Sequence, residues 1–194
     1  WKTDRVKQAG ELVPNTGKSF MQDAAPKVNR VLGIDPGLRV TGYAVMERHG
    51  GEIQLLEAGI ITSKAPGKSS LQKRLGLIHE GITEILNQFK PGAMAVEQLF
   101  AHYKHPRTAI LMGHARGVIL LCAAQHNLGL TSFNPTRVKK TLTGSGRASK
   151  QQVQYAIQRE LGLPGLPEPA DVADAMAIGL AFLYAQKIEG REIA

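Results

Sequence analysis

Cysteine is almost missing from this chain: Cys122 is the only one among 194 residues, so no internal disulfide can form. Set in the apolar run GVILLCAA, it reads as a buried small hydrophobe, and a reducing cytoplasm fits. The sequence also has no apolar run approaching the roughly 18 to 20 residues of a membrane span. Its first 30 residues lack the continuous apolar core of a signal peptide. The expectation is a soluble, unexported protein with no membrane partner. Internal repeats and low-complexity tracts are absent as well. Acid falls short of base, with 16 Asp and Glu against 24 Lys and Arg for a net charge of +8. That balance favours an anionic partner such as nucleic acid without placing a site for one. With 43% hydrophobic and 21% charged residues, the chain is enough for one globular domain and too little for two large ones.

What is present becomes legible near Asn29. Residues 1–29 are polar, weakly periodic and broken by Gly and Pro, and they read as a peripheral extension or an appended piece. The domain is expected over 30–187, with 188–194 as a tail. Strands are predicted at 30–34, 40–47 and about 54–62, joined by short turns into an antiparallel meander. A helix capped near Ser69 or Ser70 follows, with Leu71, Leu75, Ile78, Ile82, Ile85 and Leu86 at three- and four-residue steps until Pro91 stops it. Ala93 to Val96 is a short apolar strand, about 106–126 a second helix, and Leu128 to Phe133 a fifth strand. Helices at about 136–142, 149–161 and 170–187 complete the chain. This order predicts an α/β fold, a mixed five-stranded sheet flanked by helices.

Two of these strands run straight into a carboxylate. VLGIDPGLRVTGYAVM puts Asp35 where a buried strand breaks at Asp-Pro-Gly, and AMAVE puts Glu97 at the end of another. Asp35 has a bland reading as turn chemistry, whereas Glu97 has no turn-forming role. If the two strands are adjacent and parallel, both acids lie on the edge where such sheets place ligands. In PADVADAMAIGLAF, Asp171 and Asp174 stand three apart on one face of a helix's first turn, where the alternative is an N-cap and a first-turn acid. Four crowded carboxylates repel one another unless divalent cations bind them, and Mg²⁺ or Mn²⁺ prefers oxygen ligands. Two such ions suit phosphodiester hydrolysis by an activated water.

LGIDPGLRVTGYAVM, AVEQLF, GHARGV, RVKKTLTGSGRASKQQV and DVADAMAI together resemble, in order, the motifs of the RuvC family of Holliday junction resolvases, over roughly residues 30–186. The resemblance implies a ribonuclease H-like fold of the retroviral integrase superfamily and a homodimer. It further implies a Mg²⁺-dependent endonuclease that resolves four-way DNA junctions by paired symmetric nicks in recombination and repair. Recruitment to the branch-migration proteins RuvA and RuvB is implied in the same way. The family's acidic residues fall on Asp35, Glu97, Asp171 and Asp174, with Asp35 as the bridge between two ions. Some members carry histidine at the position of Asp171.

Around the acids lies a basic surface. Phe100, in QLFAHYKHPR, reads on its own as core, but the resemblance makes it a wedge entering an opened base stack. His102, Tyr103, Lys104, His105 and Arg107 form a basic, aromatic loop suited to phosphates and bases. His102 and His105 alone make a poor zinc site. Lys139 and Lys150 match lysines that the family uses near the cleaved phosphate, with Arg137, Lys140 and Arg147 around them. GSGRASK reads as a flexible glycine-rich loop offering backbone donors and cations to DNA. Arg116 is ambiguous between DNA contact and helix packing. An actin-like ATPase half needs a second domain and a second phosphate loop that the chain lacks. A nearer rival is another ribonuclease H-like nuclease, cutting RNA/DNA hybrids or serving as a transposase, whereas the intact acidic set argues against a junction binder that does not cut.

Overall fold

The computed structural model describes residues 28–63, 70–99 and 106–189. Chain order is β1 (Arg30–Asp35), β2 (Val40–His49), β3 (Glu52–Thr62), α1 (Leu71–Phe89), β4 (Ala93–Glu97), α2 (Pro106–Gln125), β5 (Gly129–Phe133), α3 (Pro135–Thr143), α4 (Lys150–Leu161) and α5 (Ala170–Glu189). The strands form one sheet in the order β3-β2-β1-β4-β5. β1, β2 and β3 pair antiparallel as a meander, while β4 is parallel to β1 and β5 parallel to β4. The expected elements are therefore all found, with ends displaced by a residue or two.

α1 carries out the crossover that a parallel β1–β4 pair requires. The Ser70 side chain accepts from Lys73 N at its start, Lys90 closes it in the left-handed conformation, and Ile78, Ile82, Ile85 and Leu86 are buried. With α2 they cover one face of the sheet, meeting Leu32, Ile34, Val45, Met94 and Val96. α5 covers the other face together with α3 and α4.

α5 is apolar almost all round, and from Val172 to Leu183 only Asp174 and Gly179 are not buried hydrophobic side chains. It is a central core helix, pressed close to the sheet because Gly33 lies beneath it. A Cβ at Gly33 would stand 2.4 Å from the Ala175 carbonyl oxygen. That approach sets the depth at which the first turn of α5 meets the end of β1.

α2 departs from expectation. Arg107–Gln125 is long and apolar enough to cross a membrane by length and composition, although only 22% of it is buried. Inward residues such as Ala115, Ile119 and Cys122 pack in the core, whereas Ile110, Leu111 and Leu121 are exposed. Scattered polar residues hide this apolar content from a search for unbroken runs.

Candidate active site

The β1–β4 register pairs Ile34 with Val96, so the next residue of each strand, Asp35 and Glu97, emerges beside the other. On its other side Asp35 pairs with Gly42 of β2, and a Cβ at Gly42 would lie 2.0 Å from the Asp171 carbonyl oxygen. The missing side chain lets the first turn of α5 settle over the strand ends. Behind Asp35 the turn is closed by Thr41, which is fully buried and donates from Oγ1 to the Gly37 carbonyl at 2.7 Å. α5 begins at Ala170, so Asp171 lies inside the first turn and is not its N-cap. Asp174 follows on the same face.

The structure thus brings the four sequence-predicted acids together, and their electrostatics show it. Burial pushes the Asp35 carboxyl up to about 8, helped by the charge of Glu97, a hydrogen bond to Glu97, and the charges of Asp174 and Asp171. Asp35 and Glu97 therefore share a proton as a pair, with Asp35 donating. Burial also raises Glu97, against the pull of that hydrogen bond and of Lys150. Asp174 is raised by burial as well, with Lys150 opposing and Asp171 reinforcing the shift. Lys150 Nζ lies 3.9 Å from Asp174 Oδ2, and this exposed pair is worth at most about 1 kcal/mol.

Among the described residues no three His, Cys, Asp or Glu side chains close into a ready coordination set. Asp35 and Glu97 bond to each other, and Asp174 faces a lysine. The donor set nevertheless fits a hard divalent cation, because every ligand on offer is a carboxylate oxygen. The carboxyl of Asp35, kept protonated by burial and by its acidic neighbours, would give up that proton to such a cation.

Lys139 and Lys150 line a cleft of about 260 Å³ with Glu97 and Asp174, between α3, α4 and α5. Arg137, Lys140 and Arg147 are exposed outside it, and the Arg137 guanidinium lies 5.7 Å from the Phe133 ring centroid. Arg107 is exposed in the first turn of α2. Phe100, Tyr103 and Lys104, with His102 and His105, lie outside the described residues.

Two findings change the sequence reading. The Gly144-to-Ser149 stretch is a tied turn whose backbone donors are largely used internally. Ser145 N bonds Thr143 Oγ1, Arg147 N bonds Ser145 Oγ, Ala148 N bonds Ser145 O, and Ser149 N bonds Gln152 Oε1 in a capping box. Its side-chain cations remain available to an anion, but those N–H groups do not. The Ser149-x-x-Gln152 signature was readable in the sequence. Arg116 resolves to packing: Nε donates to the Glu97 carbonyl at 3.3 Å and Nη2 to Ser132 Oγ at 2.7 Å. It clamps the end of β4 that carries Glu97, a role no sequence signal gave.

These shifts dictate a pH dependence. A carboxyl at about 8 in the metal-free fold and 3.8 as its ordinary value keeps its proton longer when folded. Its stabilising contribution is complete below about pH 4 and is lost as pH rises through about 8. Chemical denaturation of metal-free protein across that window should show stability falling relative to Asp35→Asn by on the order of a few kcal/mol. A constant difference between the two proteins would refute the shared proton.

Comparison with known proteins identifies the family. The family model for crossover junction endodeoxyribonuclease RuvC matches residues 31–182. A Rhodopirellula baltica protein of that name is 54% identical over 154 residues, covering 79% of this chain and 85% of the relative. Its Halothermothrix orenii counterpart is 43% identical over 150 residues, 77% of this chain and 89% of the relative. Among solved structures, T. thermophilus RuvC in complex with Holliday junction substrate superposes with a TM-score of 0.76 at 34% identity, covering 82% of this chain and 96% of that one. The yeast mitochondrial Holliday junction resolvase Ydc2 shares the fold at a TM-score of 0.66 and 14% identity, over 85% of this chain and 82% of its own. With the match spanning every strand that carries or supports the acidic cluster, this chain belongs to the RuvC family of crossover junction endodeoxyribonucleases.

Proposed function

We propose that this chain resolves four-way DNA junctions, hydrolysing one phosphodiester bond in each of two strands with two divalent metal ions held by Asp35, Glu97, Asp171 and Asp174. What supports this reading most is the convergence of two parallel strand ends and one helix turn, each bearing acid, within a chain of this family. Mg²⁺, or Mn²⁺ in its place, would supply Lewis acidity at the phosphate and lower the pKa of an attacking water. Asp35, whose carboxyl feels the charges of the other three acids, would be the one shared between the two ions. Arg116 holds the Glu97 strand end in position, and Gly42 leaves room for Asp171.

Lys139 and Lys150 meet the phosphate from the α3–α4 side. Lys150 is held to Asp174 only by a weak, exposed contact, so it would be free for the DNA with metal bound. Arg107, Arg137, Lys140 and Arg147 extend the positive surface, and Phe100, Tyr103 and Lys104 complete the reading as junction contacts. Recruitment by RuvA and RuvB, and action on the chromosome in the cytoplasm during recombination and repair, rest on family membership.

Paired cutting requires two sites, and α2 supplies a surface on which two copies can meet. Ile110 and Leu121 are 61% and 51% exposed, and they share a face with Gly117 at helical spacing. Gly113 and Gly117 have open space where a Cβ would stand, so another backbone can approach closely. We assign this stripe to a second copy of the chain.

On a labelled four-way junction with Mg²⁺, paired nicks should appear in strands of like polarity, with linear duplex and RNA/DNA hybrid spared. Asp174→Asn should slow cutting at least about 100-fold, because it removes a carboxylate from the set that would hold the catalytic ions. Preferential cutting of the hybrid, or activity undiminished in EDTA, would overturn the reading. Light scattering should give a dimer, and the double variant Ile110→Glu/Leu121→Glu should give a monomer that no longer pairs its nicks. A monomeric wild type at assay concentration would refute the assigned interface.

A further inference from the structure

On the side of the carboxylates away from Lys139 and Lys150 lies a second cleft, of about 600 Å³, between the β1–β2 turn and the first turns of α1 and α2. Asp171 forms one wall, so this cleft opens onto the acidic cluster. Its polar lining is otherwise Arg39, Arg74 and Thr108, with Leu111 and Met112 as apolar floor. The cationic character of this cleft has no part in the assignments above.

Arg74 is the fixed element. Its Nε donates to Ser63 Oγ at 3.3 Å and its Nη2 to the Leu38 carbonyl at 3.0 Å. Ser63 is fully buried and donates its own hydroxyl to Leu38 O. These partners are neutral. Among the described residues no carboxylate lies within ion-pair distance of either Arg39 or Arg74. A partly buried guanidinium held rigidly by neutral acceptors is a preorganised anion receptor, because the cost of fixing the fork has been met in folding. Arg39, exposed at the turn beside it, adds a second cation whose side chain makes no hydrogen bond among the described residues, and Thr108 is exposed and can donate from its hydroxyl.

We propose that this cleft binds a backbone phosphate of the cut strand, next to the scissile one and on the side opposite Lys139 and Lys150. The inference rests on the junction-cutting reading above and deepens it. A strand crossing the acidic cluster must bring its neighbouring phosphates close to carboxylates, which repel them. Basic clefts on both flanks offset that repulsion and hold the strand taut over the cluster. Arg39 and Thr108 make the adjustable contacts, and Arg74 the fixed one.

The test measures junction affinity in EDTA, where nothing is cut. Wild type, Arg39→Gln, Arg74→Lys and, as a remote charge control, Arg159→Gln are titrated with four-way junctions. These are unmodified, or carry one uncharged methylphosphonate linkage stepped along the cut strand. Arg39 makes no described side-chain bond, so its variant should fold, and circular dichroism checks Arg74→Lys. Arg39→Gln should weaken binding about three- to tenfold and lower the salt slope of log K by about one. One linkage flanking the scissile position should weaken the wild type by a similar factor and Arg39→Gln distinctly less, because only Arg74 then remains to feel the lost charge. Arg159→Gln should keep the full wild-type response to that linkage. If no position has a smaller effect in Arg39→Gln than in the wild type, or if Arg159→Gln shows the same reduction, the subsite is refuted. Normal junction binding and cutting with no coupled position sinks this inference alone, whereas failure of the wild type to bind junctions sinks the functional reading with it.

Discussion

Burial of carboxylates that also repel one another, at one edge of a sheet, is the constraint on which the rest of this structure turns. Asp35 is held protonated up to about pH 8 by burial and by three acidic neighbours. A fold that creates such a site must hold it together with stability gained elsewhere. Parallel pairing of β1 with β4 fixes Asp35 beside Glu97, and Arg116 clamps the carbonyl of Glu97 from behind. The almost wholly apolar α5 is driven onto the sheet by burial. It carries Asp171 and Asp174 with it to a depth set by Gly33 and Gly42. Metal binding would relieve the strain that folding accepts.

Much of this was legible in the sequence because it is encoded locally. The three-four spacing from Leu71 to Leu86 and the apolar runs ending in Asp35 and Glu97 are period and punctuation signals. So is the three-residue step from Asp171 to Asp174. Once Pro91 stops α1, β4 is free to return parallel to β1, and the convergence of the acids follows from topology. The resemblance to a known family supplied what spacing cannot, the identity of the substrate.

What escaped the sequence depends on long-range contacts. Arg116 meets Glu97 only because α2 crosses the β4–β5 edge, and no local pattern reports that. Gly42 looks like an ordinary strand glycine until α5 lies on it. In sequence the stretch after Gly144 reads as a flexible glycine-rich loop with free backbone donors, because glycine suggests freedom. Its serine and threonine side chains in fact occupy the backbone donors. α2 concealed its apolar surface among Arg107, His114 and Arg116, so its exposed stripe emerged only with the fold.

On the proposed reading, the carboxylate cluster would trade a proton for a cation. The most direct test is calorimetric titration of metal-free protein with Mn²⁺ at pH 7 in buffers of different ionisation enthalpy. Binding should release close to one proton per active site, and Asp35→Asn should abolish that release along with most of the affinity. Tight binding with no proton released, or binding and release unchanged in Asp35→Asn, would contradict the account.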